Sequence, residues 1–165
     1  MAINLGGVTL GVGIILLFVM RWVMKEKKRL SALVPFILAL LYGMLAALAA
    51  LGSVSALGGI TWIALWAGNV AGYATLVWGI GGNAPDVTRA QQLVLTDGGY
   101  VIVFLLTLVL LGLLKWGPKQ SKSKILLGCL AGILIALSGN VAGLAAVPLG
   151  SGANLAGLGF TEAFG

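Results

Sequence analysis

The sequence predicts an all-α integral membrane protein with two antiparallel transmembrane helical hairpins, giving four spans, and an outer interfacial or re-entrant helix between them. Of the 165 residues, 60% are apolar and only 8% are charged, whereas a soluble domain usually has about 25% charged residues. Apolar runs of about 20 residues recur, and a helix of that length crosses a hydrocarbon core of about 30 Å. Nine of the ten cationic residues lie in two clusters, at residues 21–29 and 115–124.

The two cationic clusters predict how the chain lies in the cell membrane. We call residues 25–29 the first hinge and residues 115–124 the second hinge. Loops that keep Lys and Arg stay on the cytoplasmic side, because moving cations across during insertion is unfavourable. We therefore expect a multi-pass protein with both hinges in the cytoplasm and both termini outside. The lipid bilayer is its first partner, and contact between the hinges and anionic phospholipids follows from this placement.

Residues 5–52 are expected to form the first hairpin. Leu5 to Met24 is long enough for one span, and its Gly7-x-x-x-Gly11 motif leaves a flat strip suited to close helix packing. Leu33 to Leu51 returns after the first hinge as the second span. Residues 1–4 lack the basic region of a signal peptide, so we expect this segment to remain in the mature protein.

Residues 53–97 permit two interpretations. Ile60 to Ile80 is apolar enough to span, yet a crossing here would put the two hinges on opposite sides of the membrane. We prefer an interfacial or re-entrant helix on the outer side, and keep a fifth span as the alternative. The preferred helix carries a single stripe of amphipathic side chains, formed by Trp62, Trp66, Asn69 and Tyr73. Residues 81–86 break this helix, and residues 87–97 follow as an exposed outer loop.

Residues 98–147 are expected to form the second hairpin. Tyr100 to Leu114 is an uninterrupted apolar run, and Ile125 to Val147 returns outward after the second hinge. Residues 148–165 form a Gly- and Ala-rich tail on the outer side. The whole chain, 1–165, is thus one membrane domain.

The two hairpins look alike at a shift of roughly 90 residues. Gly6-Gly7, a span, the first hinge and a span with Gly43 are matched by Gly98-Gly99, a span, the second hinge and a span with Gly132. Parallel internal repeats of this kind occur in transport proteins. Two positive-inside hairpins would also look similar without duplication, so both explanations stay open.

The pentapeptide Gly-Asn-Val-Ala-Gly occurs at 68–72 and again at 139–143. It combines a close-approach face with an amide that both donates and accepts, and such an amide bonds to a neighbouring helix for about 0.6 to 2 kcal/mol. We expect these residues to be helix-packing contacts, and a polar path through the membrane is the alternative. The candidate residues are Gly68, Asn69, Gly72, Ser138, Gly139, Asn140 and Gly143.

The sequence predicts no enzymatic activity, no metal site and no cofactor. Histidine is absent, there is a single cysteine, and the only carboxylates are Glu26, Asp86, Asp97 and Glu162. Ser-His and Cys-His nucleophiles are therefore excluded, and general bases are scarce. We do not expect direct nucleic-acid binding either, because the net charge of +6 is concentrated at membrane hinges and not spread over a groove-sized face.

Each half resembles the helix, basic turn, helix layout of the conjugative pilins of type IV secretion, here present in two copies. The resemblance implies a structural subunit of a transfer or secretion apparatus, in which the basic turns line a lumen. It would make the following residues lumen charges, and membrane topology alone would make them contacts to anionic lipid: Lys25, Lys27, Lys28, Arg29, Lys115, Lys119, Lys122 and Lys124.

The leading functional prediction is a structural or assembly subunit that forms homo-oligomers or joins a larger membrane complex. One alternative is a holin-like pore former, in which glycine-rich spans oligomerise and open the membrane. Another is a small channel or transporter that uses Asn69, Ser138 and Asn140.

Overall fold

The computed structural model describes residues 3–50, 53–88, 91, 93–136 and 138–164; within this description, the side chains of residues 3, 139, 140, 142 and 143 are not included. The described residues form six α-helices: α1 (Leu5–Lys25), α2 (Leu30–Ala50), α3 (Ala56–Tyr73), α4 (Asp97–Trp116), α5 (Lys119–Ala136) and α6 (Gly139–Phe164). A π-helical segment (Ala74–Gly79) continues α3. Strands β1 (Ile3–Asn4) and β2 (Asp86–Val87) pair antiparallel, with Ile3 opposite Val87. The predicted all-α class is confirmed.

Four helices in the described part of the chain are long and apolar enough to cross a membrane. Three of them, α1, α2 and α4, coincide with predicted spans. The fourth is α3 together with its π-helical segment, Ala56–Gly79, which is the stretch for which a fifth span was the alternative. Helix α5 differs because its first two turns carry Lys119, Lys122 and Lys124.

Short polar side chains cap α1, α3 and α4, which begin away from the hinges. Asn4 Oδ1 accepts a hydrogen bond from the Gly7 amide at 2.9 Å, Ser55 Oγ from the Gly58 amide at 3.0 Å, and Thr96 Oγ1 from the Gly99 amide at 3.1 Å. Each satisfies an amide that the first helical turn leaves without a partner. We call the end of the molecule where α1, α3 and α4 begin the capped end, and the opposite end, which holds both hinges, the hinge end.

The most extensive helix contacts join α2 to α5, α1 to α3 and α4 to α6. The two helices that flank each hinge are thus not the principal packing pairs, although Phe18 of α1 stacks on Phe36 of α2 with ring centroids 3.8 Å apart. Glycines allow the close packing of α2 on α5, which is the central helix pair. A Cβ at Gly43 of α2 would meet the backbone of Cys129, and a Cβ at Gly132 of α5 would meet the backbone of Leu40.

These two glycine contacts are related by the shift of roughly 90 residues that also relates the two predicted hairpins. Gly132 follows Gly43 by 89 residues, and Cys129 follows Leu40 by the same number. Each half of the chain therefore presents the same glycine-containing surface to the other half, and the two surfaces are related by a pseudo-twofold axis between α2 and α5. The three principal contacts obey this relation, since α1 on α3 corresponds to α4 on α6.

The core lies between α2 and α5 toward the capped end, where Leu48 and Leu134 are the largest fully buried side chains. Helix α3 lies over this region. Leu57 packs near Ala49, Leu65 packs beside Leu48, and a Cβ at Gly68 would meet Leu134. The start, middle and later part of α3 thus all contact the capped end of the bundle.

The end of the chain differs from the expectation. A span over 125–147 followed by a glycine-rich tail was predicted, but α5 ends at Ala136 and α6 runs from Gly139 to Phe164 through Pro148. Proline and glycine end helices in water. In a membrane protein, neighbouring helices satisfy the freed backbone groups, and glycine allows close approach. The separate tail from residue 148 is therefore wrong as an element boundary.

Candidate functional site

The two hinges meet at the hinge end. Lys124 Nζ donates to Glu26 Oε2 at 2.8 Å, and this ion pair joins residues 98 positions apart in sequence. The lysine also donates to the backbone oxygen of Ala32 at 3.3 Å. Its side chain is 13% exposed and that of Glu26 is 20% exposed, so the pair is mostly shielded from solvent. The contact places the cationic segments of both halves side by side.

Around this ion pair is an open cavity of about 670 Å³, which we call the basic cleft. Five cationic side chains and one carboxylate line it, so positive charge dominates. Its charged residues are Arg21, Lys25, Glu26, Lys27, Arg29 and Lys124. Arg21 is absent from the predicted charge set. The signal that identifies it is its position one helical turn before Lys25, on the same face of α1.

The remaining predicted cations do not line the cleft. Lys122 Nζ donates to the backbone oxygen of Lys115 at 3.0 Å, and Lys115 Nζ lies 5.1 Å from the centroid of the Trp116 ring. Lys28 occupies the turn after α1 with a φ of 57°, and Lys119 is the first residue of α5. The structure thus brings together half of the eight predicted charges, namely Lys25, Lys27, Arg29 and Lys124.

An apolar crevice of about 190 Å³ opens between α1 and α5 beside the basic cleft. Its walls are mainly Ile14, Leu17, Phe18 and Leu127, and it shares Arg21 and Lys124 with the cleft. The parallel stacking of Phe18 on Phe36, with ring planes 3° apart, fixes one wall. A charged site is therefore continuous with an apolar one.

Asn69 occupies the junction of α1 and α3 at the capped end. Its Oδ1 accepts from the backbone amide of Asn4 at 3.3 Å, and its backbone oxygen accepts from Asn4 Nδ2 at 3.2 Å. Next to it, Gly6 and Gly72 bring the two backbones into direct contact. The side chain is only 3% exposed. These contacts support the helix-packing interpretation of Gly68, Asn69 and Gly72.

The same junction occurs in the second half, where Asn154 takes the place of Asn69. Its Oδ1 accepts from the Thr96 backbone amide at 3.0 Å and from Thr96 Oγ1 at 3.1 Å. Gly98 and Gly157 bring α4 and α6 together beside it. Sequence reasoning missed Asn154. The signal that could have found it is the tetrapeptide Asn-x-Ala-Gly, which occurs at 69–72, at 140–143 and at 154–157.

The second copy of the repeated pentapeptide, at 139–143, opens α6. The side chains of Gly139, Asn140 and Gly143 lie outside the described residues. Ser138, directly before them, is buried, and its backbone amide donates to Ile135 at 3.1 Å.

The predicted aromatic stripe on α3 does not include Asn69. Trp62, Trp66 and Tyr73 are between 42% and 56% exposed, whereas Asn69 turns toward α1. The face of α3 that packs inward is instead made of small and aliphatic side chains together with this amide: Gly58, Thr61, Leu65, Gly68, Asn69 and Gly72.

An apolar groove of about 600 Å³ separates α2 from α4, and α6 covers one end of it. The equivalent space in the other half is the smaller crevice of about 190 Å³, because α1 contacts α5 more extensively than α4 contacts α2. Gly11 allows this closer packing, since even a Cβ there would lie 2.8 Å from Ile135 Cγ1. The residue 92 positions later is Val103, a larger side chain that is buried in one cluster with Leu45 and Ala49 of α2.

Comparisons with protein-family models, with curated proteins and with solved structures found no match to this chain.

Proposed function

We propose that this protein is a structural subunit of a larger membrane assembly and that it associates with further copies of itself. In this proposal the hinges face the cytoplasm, the capped end with both termini faces outward, and α3 lies across the outer side of the bundle. The single observation that carries the assembly proposal is the apolar groove between α2 and α4.

The chemistry of the groove favours an apolar occupant. The hydroxyls of Tyr42, in its wall, and of neighbouring Thr107 hydrogen-bond to each other at 2.6 Å, and Thr107 Oγ1 also donates to the backbone oxygen of Val103 at 2.7 Å. Because both hydroxyls are already hydrogen-bonded within the protein, they do not line a hydrated path through the groove. The walls are otherwise aliphatic side chains such as Leu38, Leu106 and Leu149.

The internal symmetry indicates what kind of element packs on a surface of this type. In the other half of the same chain, α5, the counterpart of α2, packs directly on a transmembrane-length apolar helix, α1. Helices of a second copy present suitable surface, since Leu16 and Met20 of α1 are more than half exposed. Association of helices in lipid depends on such shape complementarity, because lipid tails are as apolar as the helices.

Filling the groove tests the proposal. Gly152 lines the groove, and a Cβ built there meets nothing within 4 Å, so Gly152→Leu extends into open space without a clash. Gly159→Leu is the matched control, because this glycine lies on the same helix, also has open space around it, and does not line the groove.

The measurement is the mass of the particle extracted in mild detergent. We expect a mass of two or more chains for the natural sequence and for Gly159→Leu, and a smaller particle for Gly152→Leu. A natural protein with the mass of one chain, or equal behaviour of both variants, would contradict the proposal.

A transfer or secretion apparatus is the setting that we propose for the assembly, from the pilin-like layout of each half. Extracted or shed material should then contain filaments or large rings, and small particles alone would count against this setting. The hydrogen bonds of Asn69 between helices support packing and give no reason to prefer a channel.

A further inference from the structure

We propose that the basic cleft and the adjoining crevice form a binding site for one anionic diacyl phospholipid. Its phosphate lies in the cleft, and one acyl chain lies in the crevice between α1 and α5. The inference uses the membrane placement of the protein but not its self-association.

Charge favours an anionic headgroup in the cleft. The carboxylate of Glu26 is paired with Lys124, which leaves an excess of four cationic side chains around the cavity: Arg21, Lys25, Lys27 and Arg29. Two of the four are arginines, whose planar guanidinium donates two parallel hydrogen bonds to a phosphate. A zwitterionic choline headgroup brings its own ammonium into this field and is therefore disfavoured.

The position of the crevice favours a lipid over a free phosphate. A phospholipid has its charged group directly beside its apolar chains, and the structure shows the same order: Arg21 and Lys124 border both cavities. From Arg21 the crevice extends along α1 to Ile14, a distance of about 10 Å at the helical rise of 1.5 Å per residue. An acyl chain that fills it buries apolar surface against Leu17 and Leu127.

The ion pair contributes to the shape of the site. Lys124 is held by Glu26 and by the backbone oxygen of Ala32, so its alkyl chain forms a fixed part of the boundary between cleft and crevice. Lysine commonly packs its methylene groups on apolar surface while its ammonium contacts polar groups. The lipid site is thus formed by both halves of the chain.

Native mass spectrometry of the detergent-solubilised protein, titrated with phosphatidylglycerol or phosphatidylcholine, tests the headgroup part. We expect one phosphatidylglycerol to bind, and Arg21→Gln with Lys25→Gln to weaken it about tenfold, from the loss of charged hydrogen bonds. Lys115→Gln with Lys119→Gln is the control, because it removes equal charge from the same end outside the cleft. Equal weakening by both pairs, or equal affinity for the two lipids, would overturn the proposal.

The crevice part is tested by Leu127→Trp, which places a bulky ring in the crevice, against Leu126→Trp on the neighbouring exposed position. Only the first should weaken phosphatidylglycerol binding. Glycerol phosphate, which lacks acyl chains, should bind far more weakly than the lipid; equal binding would overturn the proposal.

A measurement on the natural sequence avoids dependence on variants that fold poorly. A phosphatidylglycerol with a photoreactive acyl chain should cross-link to residues of α1 and α5 that line the crevice, such as Leu17 and Leu127. Cross-links spread evenly over the exposed faces of α1 and α4 would overturn the proposal. A monomeric particle that retains the lipid would contradict the assembly and leave the lipid site standing.

Discussion

At the scale of single residues, two asparagine amides, that of the buried Asn69 and that of the half-buried Asn154, hold the starts of α1 and α4 on neighbouring helices. Asn69 and Asn154 each receive a hydrogen bond from the backbone amide of a helix-capping residue, Asn4 in one half and Thr96 in the other. The capping residue itself bonds to a glycine of the first turn. One asparagine therefore positions the start of one helix on the side of another, at a place where glycines leave no room for larger side chains.

We expect Asn69→Ala to lower the free energy of unfolding by about 1 to 2 kcal/mol, because the Asn4 amide then loses its partner. The measurement is unfolding in mild detergent by titration with a denaturing detergent. Asn83→Ala is the matched control, since Asn83 lies exposed in the loop after the π-helical segment. Stability that is equal in both variants would show that the Asn69 amide does not hold α1 on α3.

At the scale of the elements, a single side chain decides how closely a helix packs. Helix α1 lies close against α5 because Gly11 has no Cβ, whereas the equivalent position in α4 has the larger side chain of Val103, which packs with Leu45 and Ala49 of α2. The two halves of the chain share their topology, and yet the space between the corresponding helices is about 190 Å³ in one half and about 600 Å³ in the other. The groove is the result of this difference.

We expect Gly11→Val to destabilise the protein by about 1 to 3 kcal/mol, because its side chain would overlap Ile135 and Leu134 and push α1 away from α5. Gly13→Val is the control on the same helix, since a Cβ there meets nothing within 4 Å. The same denaturation measurement compares the two. If Gly13→Val is the more damaging substitution, intrinsic helix preference outweighs packing at this contact.

The sequence predicts the helical class, the apolar runs and the cationic clusters, because these depend on composition and local order. It does not predict which helices pair, because the glycine contacts between α2 and α5 depend on two faces that are distant in sequence. The sequence does not single out Asn154, because the longer pentapeptide match at 139–143 is a stronger signal than the tetrapeptide at 154–157. It does not predict helix α6 either, because Pro148 and the glycines of this segment are helix-ending signals in water.

At the scale of the whole molecule, the arrangement has two ends of different chemistry. The hinge end contains the basic cleft with the Lys124–Glu26 pair, and the capped end contains the amide and glycine junctions. The ion pair places both hinges at the same end of the molecule. In the membrane placement that we propose, this end faces the cytoplasm, as the positive-inside rule favours.

Labelling with a membrane-impermeant maleimide tests this orientation. The chain has one natural cysteine, so Cys129→Ala gives a background into which Lys27→Cys or Lys119→Cys is introduced. We expect neither position to react in intact cells and both to react after the membrane is opened. Asn83→Cys in the same background should react from outside. Reaction of just one hinge position in intact cells would contradict the arrangement.

The matching of the halves has a consequence for how the polypeptide could be divided. The chain passes from one half to the other through Gly81 and Gly82, which are exposed and outside any helix, while β2 on the far side of this point pairs with β1 at the start of the chain. Two fragments cut there would each keep three helices and complementary surfaces for the other. Such a protein is suited to reassembly from two polypeptides, one for each half, that are translated separately.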